Sequence, residues 1–212
     1  MGVDLRTLIE PAAVVIHAVV KAKEIFNFKH DSYVLVQGCG PICLLLTIVR
    51  TMGVHNIIAV DGDENRLEMA KKLVAKYTVN FINENAENKI KEITGGGADM
   101  AFQCTGSPKA ASSIWKYVRR GGSMCELGFF VDNGETTYNP HIDICNKEIK
   151  VTGSWTYQAK DWIHACEFLK EAEKDGLPVK DLITHKYSLA DINEAMEKNI
   201  SMSGLKIVVE GK

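Results

Sequence analysis

The chain has 212 residues, 25 Lys+Arg against 27 Asp+Glu, and a formal net charge of −2. That balance excludes a strongly basic nucleic-acid binder, which needs surplus cations to neutralise phosphates. A composition of 46% hydrophobic and 25% charged residues belongs to a folded globular chain rather than a disordered one. No apolar run approaches the roughly 18 residues of a membrane span; the longest, residues 42–49, contains Thr47 and meets Arg50. The N-terminal residues carry Asp4 and Arg6 and lack the apolar core of a signal peptide. Six cysteines (Cys39, Cys43, Cys104, Cys125, Cys145, Cys166) are scattered without a Cys-x-x-Cys pair, so reduced thiols and a cytoplasmic location are expected.

Strand-like and helix-like segments alternate. Residues 11–28 are Ala- and Val-rich without glycine and read as a helix, with Pro11 suited to its first position, where a missing N–H costs nothing. Residues 33–37 read as a buried strand, 41–52 as an apolar helix, and 56–60 as a second strand ending at Asp61. In 64–77, Leu67, Ala70, Leu73 and Val74 recur at helical spacing. A short strand at 79–82 and a helix at 86–93 lead to the break Gly95-Gly96-Gly97. The fourth strand is expected at 99–104, then a helix at 108–118 with Ser107 as its N-cap. Gly121-Gly122 reads as a turn, 123–127 as the fifth strand and 148–152 as the sixth. Helices at 161–173 and 190–199 and a strand at 205–209 close the chain. The alternation predicts an α/β fold: a doubly wound, Rossmann-type parallel sheet of six strands, followed by a C-terminal helix/strand return segment. The expected division is a linker helix in 1–30, the sheet domain in 31–155 and the return segment in 156–212.

The sharpest motif is Val34-Leu35-Val36-Gln37-Gly38-Cys39-Gly40-Pro41-Ile42-Cys43, a strand, a Gly-x-Gly turn and a helix. Gly38 permits the sharp turn, Gly40 lets backbone approach a pyrophosphate, and the helix start offers free N–H groups and a positive dipole end. Cys43 stands where a third glycine would allow the closest helix–strand contact. Asp61 follows Gly38 by 23 residues, where a carboxylate can accept the ribose hydroxyls of adenosine and repel a 2′-phosphate. NAD is therefore expected over NADP, and Asp61→Ala is expected to relax that preference. A tight turn and a helix-capping Asp would be the bland explanation, but strand, turn, helix, strand and Asp stand here in order. A class I methyltransferase also uses a glycine turn and an acid after its second strand, but wants a further glycine where Ile42 stands.

With these residues in view, the chain resembles the C-terminal two-thirds of the zinc-containing medium-chain alcohol/polyol dehydrogenases, the branch holding sorbitol and threonine dehydrogenases. The matching stretches are Ile9-Glu10-Pro11-Ala12, the Gly38–Cys43 turn, Ala59-Val60-Asp61 with Arg66, and Gly97-Ala98-Asp99 running to Cys104-Thr105-Gly106. They continue with Gly121-Gly122, Lys147-Glu148-Ile149, Leu182-Ile183-Thr184-His185 and Gly204-Leu205-Lys206-Ile207. The resemblance implies hydride transfer between an alcohol and NAD, with zinc as Lewis acid on the substrate oxygen. By that resemblance Gly38, Gly40, Pro41 and Ile42 hold the pyrophosphate, Asp61 the adenosine ribose, and Arg66 lines the adenine side. Thr105 and Leu127-Gly128-Phe129 lie along the nicotinamide half, and Lys206 reaches the pyrophosphate from the far side. Glu10 takes the family's zinc-site position.

The family's remaining zinc ligands, its proton relay and its four-cysteine lobe belong to an N-terminal domain that would precede Met1. Residues 1–30 hold no cysteine and only His17 and His30, so this chain is expected to carry no stoichiometric zinc and to be inactive alone. His17, His55, His141, His164 and His185 are expected to be hydrogen-bonded structural residues, His185 a buried one. The partners implied are a small alcohol or polyol substrate and a second copy of the chain, joined as a homodimer or larger through the edge of the sixth strand; nucleic acid and membrane are not expected. A non-catalytic NAD-binding or interaction module stays open beside the enzyme reading, with zinc content and alcohol-dependent NADH formation to separate them, and cofactor binding to set aside the methyltransferase.

Overall fold

In the computed structural model, residues 1–211 are described, those at 43–46 without their side chains. The strands are β1 (Tyr33–Gln37), β2 (Asn56–Asp61), β3 (Tyr77–Asn80), β4 (Ala98–Gln103), β5 (Val118–Glu126) and β6 (Lys150–Gly153). They form one parallel sheet in the order β3-β2-β1-β4-β5-β6. The order reverses between β1 and β4, the switch point where doubly wound sheets open a crevice beyond their carboxyl ends. Among the described residues no helix is long and apolar enough to cross a membrane.

Helices cover both faces because strand side chains alternate. Val34 and Val36 of β1 join Ile57, Ala59, Met100 and Phe102 in one core, under α2 (Ile9–Ile25), α3 (Leu44–Thr51), α4 (Glu64–Leu73) and α7 (Ala159–Lys174). Leu35 points the other way, with Ile58, Val60, Ala101 and Met124, under α5 (Ala86–Thr94) and the 3₁₀ turn Ile114–Lys116 after α6 (Pro108–Ser113). Each fully buried aliphatic side chain contributes about 1.5–3 kcal/mol. The chain opens with the one-turn helix α1 (Val3–Arg6) and closes with β7 (Ile183–Ser188), α8 (Ile192–Ile200) and β8 (Lys206–Glu210), β7 and β8 forming a separate parallel pair.

Several boundaries depart from the sequence expectation for local reasons. Helix α2 starts at Ile9, so Pro11 sits inside the first turn, where the N–H that proline lacks is still not needed. Residues 41–43 wind as a 3₁₀ turn before α3. Helix α4 stops at Leu73 because Val74 turns to φ +147°, which frees Tyr77 to open β3 opposite Ile58. Ser107 caps α6 as expected, but Ser113 bonds back to the Ala110 carbonyl at 2.8 Å and the helix gives way there. Gly121-Gly122 is an irregularity inside β5 rather than a turn before it, since Val118 already pairs with Ala98. The sixth strand begins at Lys150, two residues late, because Glu148 is left-handed at φ +54°.

Candidate functional site

Register decides what meets at the carboxyl edge of the sheet. Gln37 lies opposite Val60 on one side and Gln103 on the other, and Gln103 lies opposite Glu126. The residues that follow β1, β2, β4 and β5 therefore emerge level with one another. Gly38 adopts φ +97° and donates its N–H to the Val60 carbonyl at 2.8 Å. A Cβ at Gly38 would stand 2.5 Å from the Thr105 methyl, so the turn after β1 and the loop after β4 approach as only glycine allows. Gly40 differs: a Cβ there would meet nothing within 4 Å. The backbone at Gly40 thus faces open space beside the turn that leads into α3, leaving room for a ligand to approach the turn.

Asp61, 9% exposed, holds this turn together. Its Oδ2 accepts the Cys39 N–H at 2.7 Å, and its Oδ1 accepts the N–H groups of Gly62 at 2.7 Å and Asp63 at 3.0 Å. Asp63 in turn caps α4 by accepting from the N–H groups of Asn65 and Arg66. One carboxylate braces both the glycine turn and the turn after β2, which leaves a lone pair on Oδ2 for one ribose hydroxyl rather than a whole carboxylate for two.

On the other side of the switch point, Thr105 donates its N–H to Gln103 Oε1 at 2.6 Å. The exit of β5 packs directly on this loop: a side chain at Gly128 would collide with the Thr105 carbonyl and Gln103 Oε1. Glu126 Oε1 accepts the Gly128 N–H at 2.8 Å. Burial holds the Glu126 carboxyl above the usual carboxylate range, against the N–H groups of Gly128 and Phe129 that pull it down. Burial pushes the Cys125 thiol up to about 12 and that of Cys104 well above its ordinary value, so both are protonated and poorly nucleophilic.

A cleft of about 470 Å³ opens beside Gln37 and is lined by Phe81 after β3, Asn85 at the head of α5, and Ser107 and Lys109 after β4. Its volume lies within the usual 300–1,000 Å³ range for small-molecule sites. Gln37 forms part of the wall, its Nε2 donating to the Ala110 carbonyl at 3.1 Å and to Ser113 Oγ at 3.0 Å. Phe81 also abuts Gly62, so the cleft adjoins Asp61.

The structure thus gathers Gly38, Gly40, Asp61, Thr105, Leu127, Gly128 and Phe129 at one edge. Pro41 and Ile42 continue from the turn in its 3₁₀ segment. Arg66 Nη2 donates to the Met202 carbonyl at 2.9 Å, tying α4 to the approach to β8. Lys206 opens β8, half-buried, in register with Ile183. Glu10 is exposed in the first turn of α2, and among the described residues no group of three His, Cys, Asp or Glu side chains could hold a metal. His17 is buried and bonded to Asp161 at 2.9 Å, whereas His185, expected to be buried, is half-exposed and bonds Thr184 Oγ1 at 2.9 Å. The residues that sequence reasoning passed over are Gln37, Gln103 and Glu126. Their signal was present: each is the polar last residue of a strand of the parallel sheet, at the carboxyl edge.

Comparison with known proteins agrees with this geometry. Residues 43–171 match the zinc-binding dehydrogenase family, and the chain belongs to that family. Among curated relatives, the sorbitol dehydrogenase of Bacillus subtilis is 33% identical over 206 residues, covering 95% of this chain and 56% of that protein. The L-idonate 5-dehydrogenase of Vitis vinifera is 32% identical over 196 residues, 89% of this chain and 50% of that one. Among solved structures, an alcohol dehydrogenase from Thermotoga maritima superposes with a TM-score of 0.85 at 26% identity, covering 95% of this chain and 55% of its own. The 2R,3R-butanediol dehydrogenase of Bacillus subtilis gives a TM-score of 0.80 at 29% identity, with 97% and 57% covered. The chain therefore spans about half the length of the relatives it matches, and family membership sets the methyltransferase alternative aside.

Proposed function

We propose that the chain is the NAD-binding portion of a zinc-type alcohol or polyol dehydrogenase, acting in hydride transfer between a secondary alcohol and NAD. The observation that carries this reading is the glycine turn at the switch point, open in front of Gly40 and braced by the Asp61 carboxylate. Bound here, NAD would supply the acceptor for a hydride from the alcohol carbon, the hydroxyl proton being lost separately. The chain's own residues bind and orient. The N–H groups beyond Gly40 face the diphosphate, Asp61 Oδ2 keeps one acceptor for ribose and places negative charge where a 2′-phosphate would lie, and the cleft beside Gln37 and Phe81 receives adenine. Thr105 and residues 127–129 border the nicotinamide. We assign Arg66 to the adenine side and Lys206, from the return segment at 156–212, to the far side of the diphosphate.

The donor set does not fit zinc: Glu10 is a single exposed carboxylate, and a catalytic site takes three protein ligands. The substrate class proposed, a small alcohol or polyol, follows the relatives, and a cytoplasmic location follows the thiols. Titrating the purified chain with NADH and NADPH by fluorescence tests the reading. Tighter binding of NADH is expected; equal affinity for both, or none for either, overturns it.

A further inference from the structure

Glu126 ends β5 and is half-buried, yet no cation answers it. Among the described residues no Lys, Arg or His forms an ion pair with it. The titratable groups facing it are the thiols of Cys125 on its own strand and Cys104 at the end of β4, both kept neutral by burial. Its partners are backbone: the Gly128 N–H at 2.8 Å on Oε1, and the Phe129 N–H beside it. The opposite side of the same turn is closed, because Gly128 rests against the Thr105 carbonyl and Gln103 Oε1 without room for a side chain. The path of residues 127–129 is therefore set between a carboxylate and the exit of β4. A half-buried carboxylate costs desolvation energy that two neutral N–H groups offset only in part.

We propose that Glu126 is the positioning residue of the nicotinamide side: its ionised carboxylate holds the N–H groups of Gly128 and Phe129 and thereby fixes the wall against which the nicotinamide ring lies. The proposal rests on the NAD reading above and goes beyond it in assigning the two halves of the dinucleotide to separate control. Adenosine and diphosphate depend on the turn braced by Asp61; the nicotinamide depends on a carboxylate whose proton affinity burial raises. Protonation leaves a weaker acceptor and loosens 127–129. Burial raises the carboxyl's pKa, so this loosening sets in at a higher pH than an exposed glutamate would give.

The test compares NADH with ADP-ribose, which carries the adenosine and diphosphate but no nicotinamide. Both are titrated by calorimetry into the unaltered chain, E126Q and E126A at about pH 8 and about pH 5. At the higher pH, E126A is expected to lose about tenfold in NADH affinity, the scale of a charge-assisted hydrogen bond, with ADP-ribose unchanged. E126Q keeps an acceptor oxygen and is expected to bind NADH within a few-fold of the unaltered chain. On acidification the ratio of NADH to ADP-ribose affinity falls in the unaltered chain and stays level in E126Q. Equal loss of both ligands in E126A, or the same pH dependence in E126Q, overturns the proposal alone. Failure of the unaltered chain to bind either ligand overturns the cofactor reading and this proposal with it. Should E126A not fold, the pH comparison with E126Q decides.

Discussion

Asp61 does more than an acid at the end of a strand has to do. Read from spacing, it is a ribose acceptor whose removal levels NADH and NADPH. In three dimensions three backbone N–H groups, those of Cys39, Gly62 and Asp63, already end on it. Truncation deletes the brace of the glycine turn as well as the ribose contact. Asp61→Ala is therefore expected to weaken NADH and NADPH together, by an order of magnitude or more, since a hydrogen bond to a charged group contributes about 1.5–3 kcal/mol. Asp61→Asn sets an amide N–H₂ against an N–H on one side of the same network and falls between the two. Fluorescence titration of both cofactors checks this; an NADPH affinity that rises in Asp61→Ala restores the simpler picture.

At the scale of elements, a buried link joins His17 on α2 to Asp161 in the first turn of α7, Nδ1 to Oδ2 at 2.9 Å. Asp161 Oδ2 also accepts the Gln158 N–H at 2.7 Å and so starts α7. The pair fastens the return segment to the helix that leads into the sheet. His17→Leu leaves the carboxylate buried without its imidazole and is expected to cost about 3 kcal/mol, the lower end for breaking a buried pair because the Gln158 bond survives. Adding Asp161→Asn removes the uncompensated charge and recovers part of the loss. Urea unfolding of the single and double variants measures both; a single variant as stable as the parent means the pair contributes nothing. None of this pairing is visible along the chain, since the partners stand 144 residues apart. Strand β7 escaped notice for a related reason: among the described residues it pairs with β8, across an intervening helix.

For the molecule as a whole, β6 is the outermost strand of the large sheet, with Lys150 and Val151 exposed, Val151 by 45%. Such an edge pairs with another chain unless charge or cover prevents it. Lys147, Glu148 and Lys150 can place opposite charges near each other when the strand meets its own copy antiparallel. A homodimer through β6 is the assembly we propose, and Val151→Pro, which removes a strand N–H, is expected to split it without changing the circular dichroism of the sheet. Light scattering at micromolar concentration checks the state, and a monomeric unaltered chain rules this assembly out.

Periodicity and punctuation in the sequence were enough for the doubly wound class, all six strands of the sheet, the glycine turn and Asp61, because each depends on contacts within a strand-turn-helix unit. Resemblance added the family. What the folded chain alone decided lies across units. Parallel register brings Thr105 and Gly128 into contact and aims Glu126 at their turn. The pairing of β1 with β2 makes Asp61 a brace of the glycine turn as well as the proposed ribose acceptor, and the fold ties Arg66 to the Met202 carbonyl. Hydrophobic alternation says which face of a strand is buried, but it is silent on which strand lies beside it and how far along; those are set by the packing of the whole sheet, and the cleft is built from them.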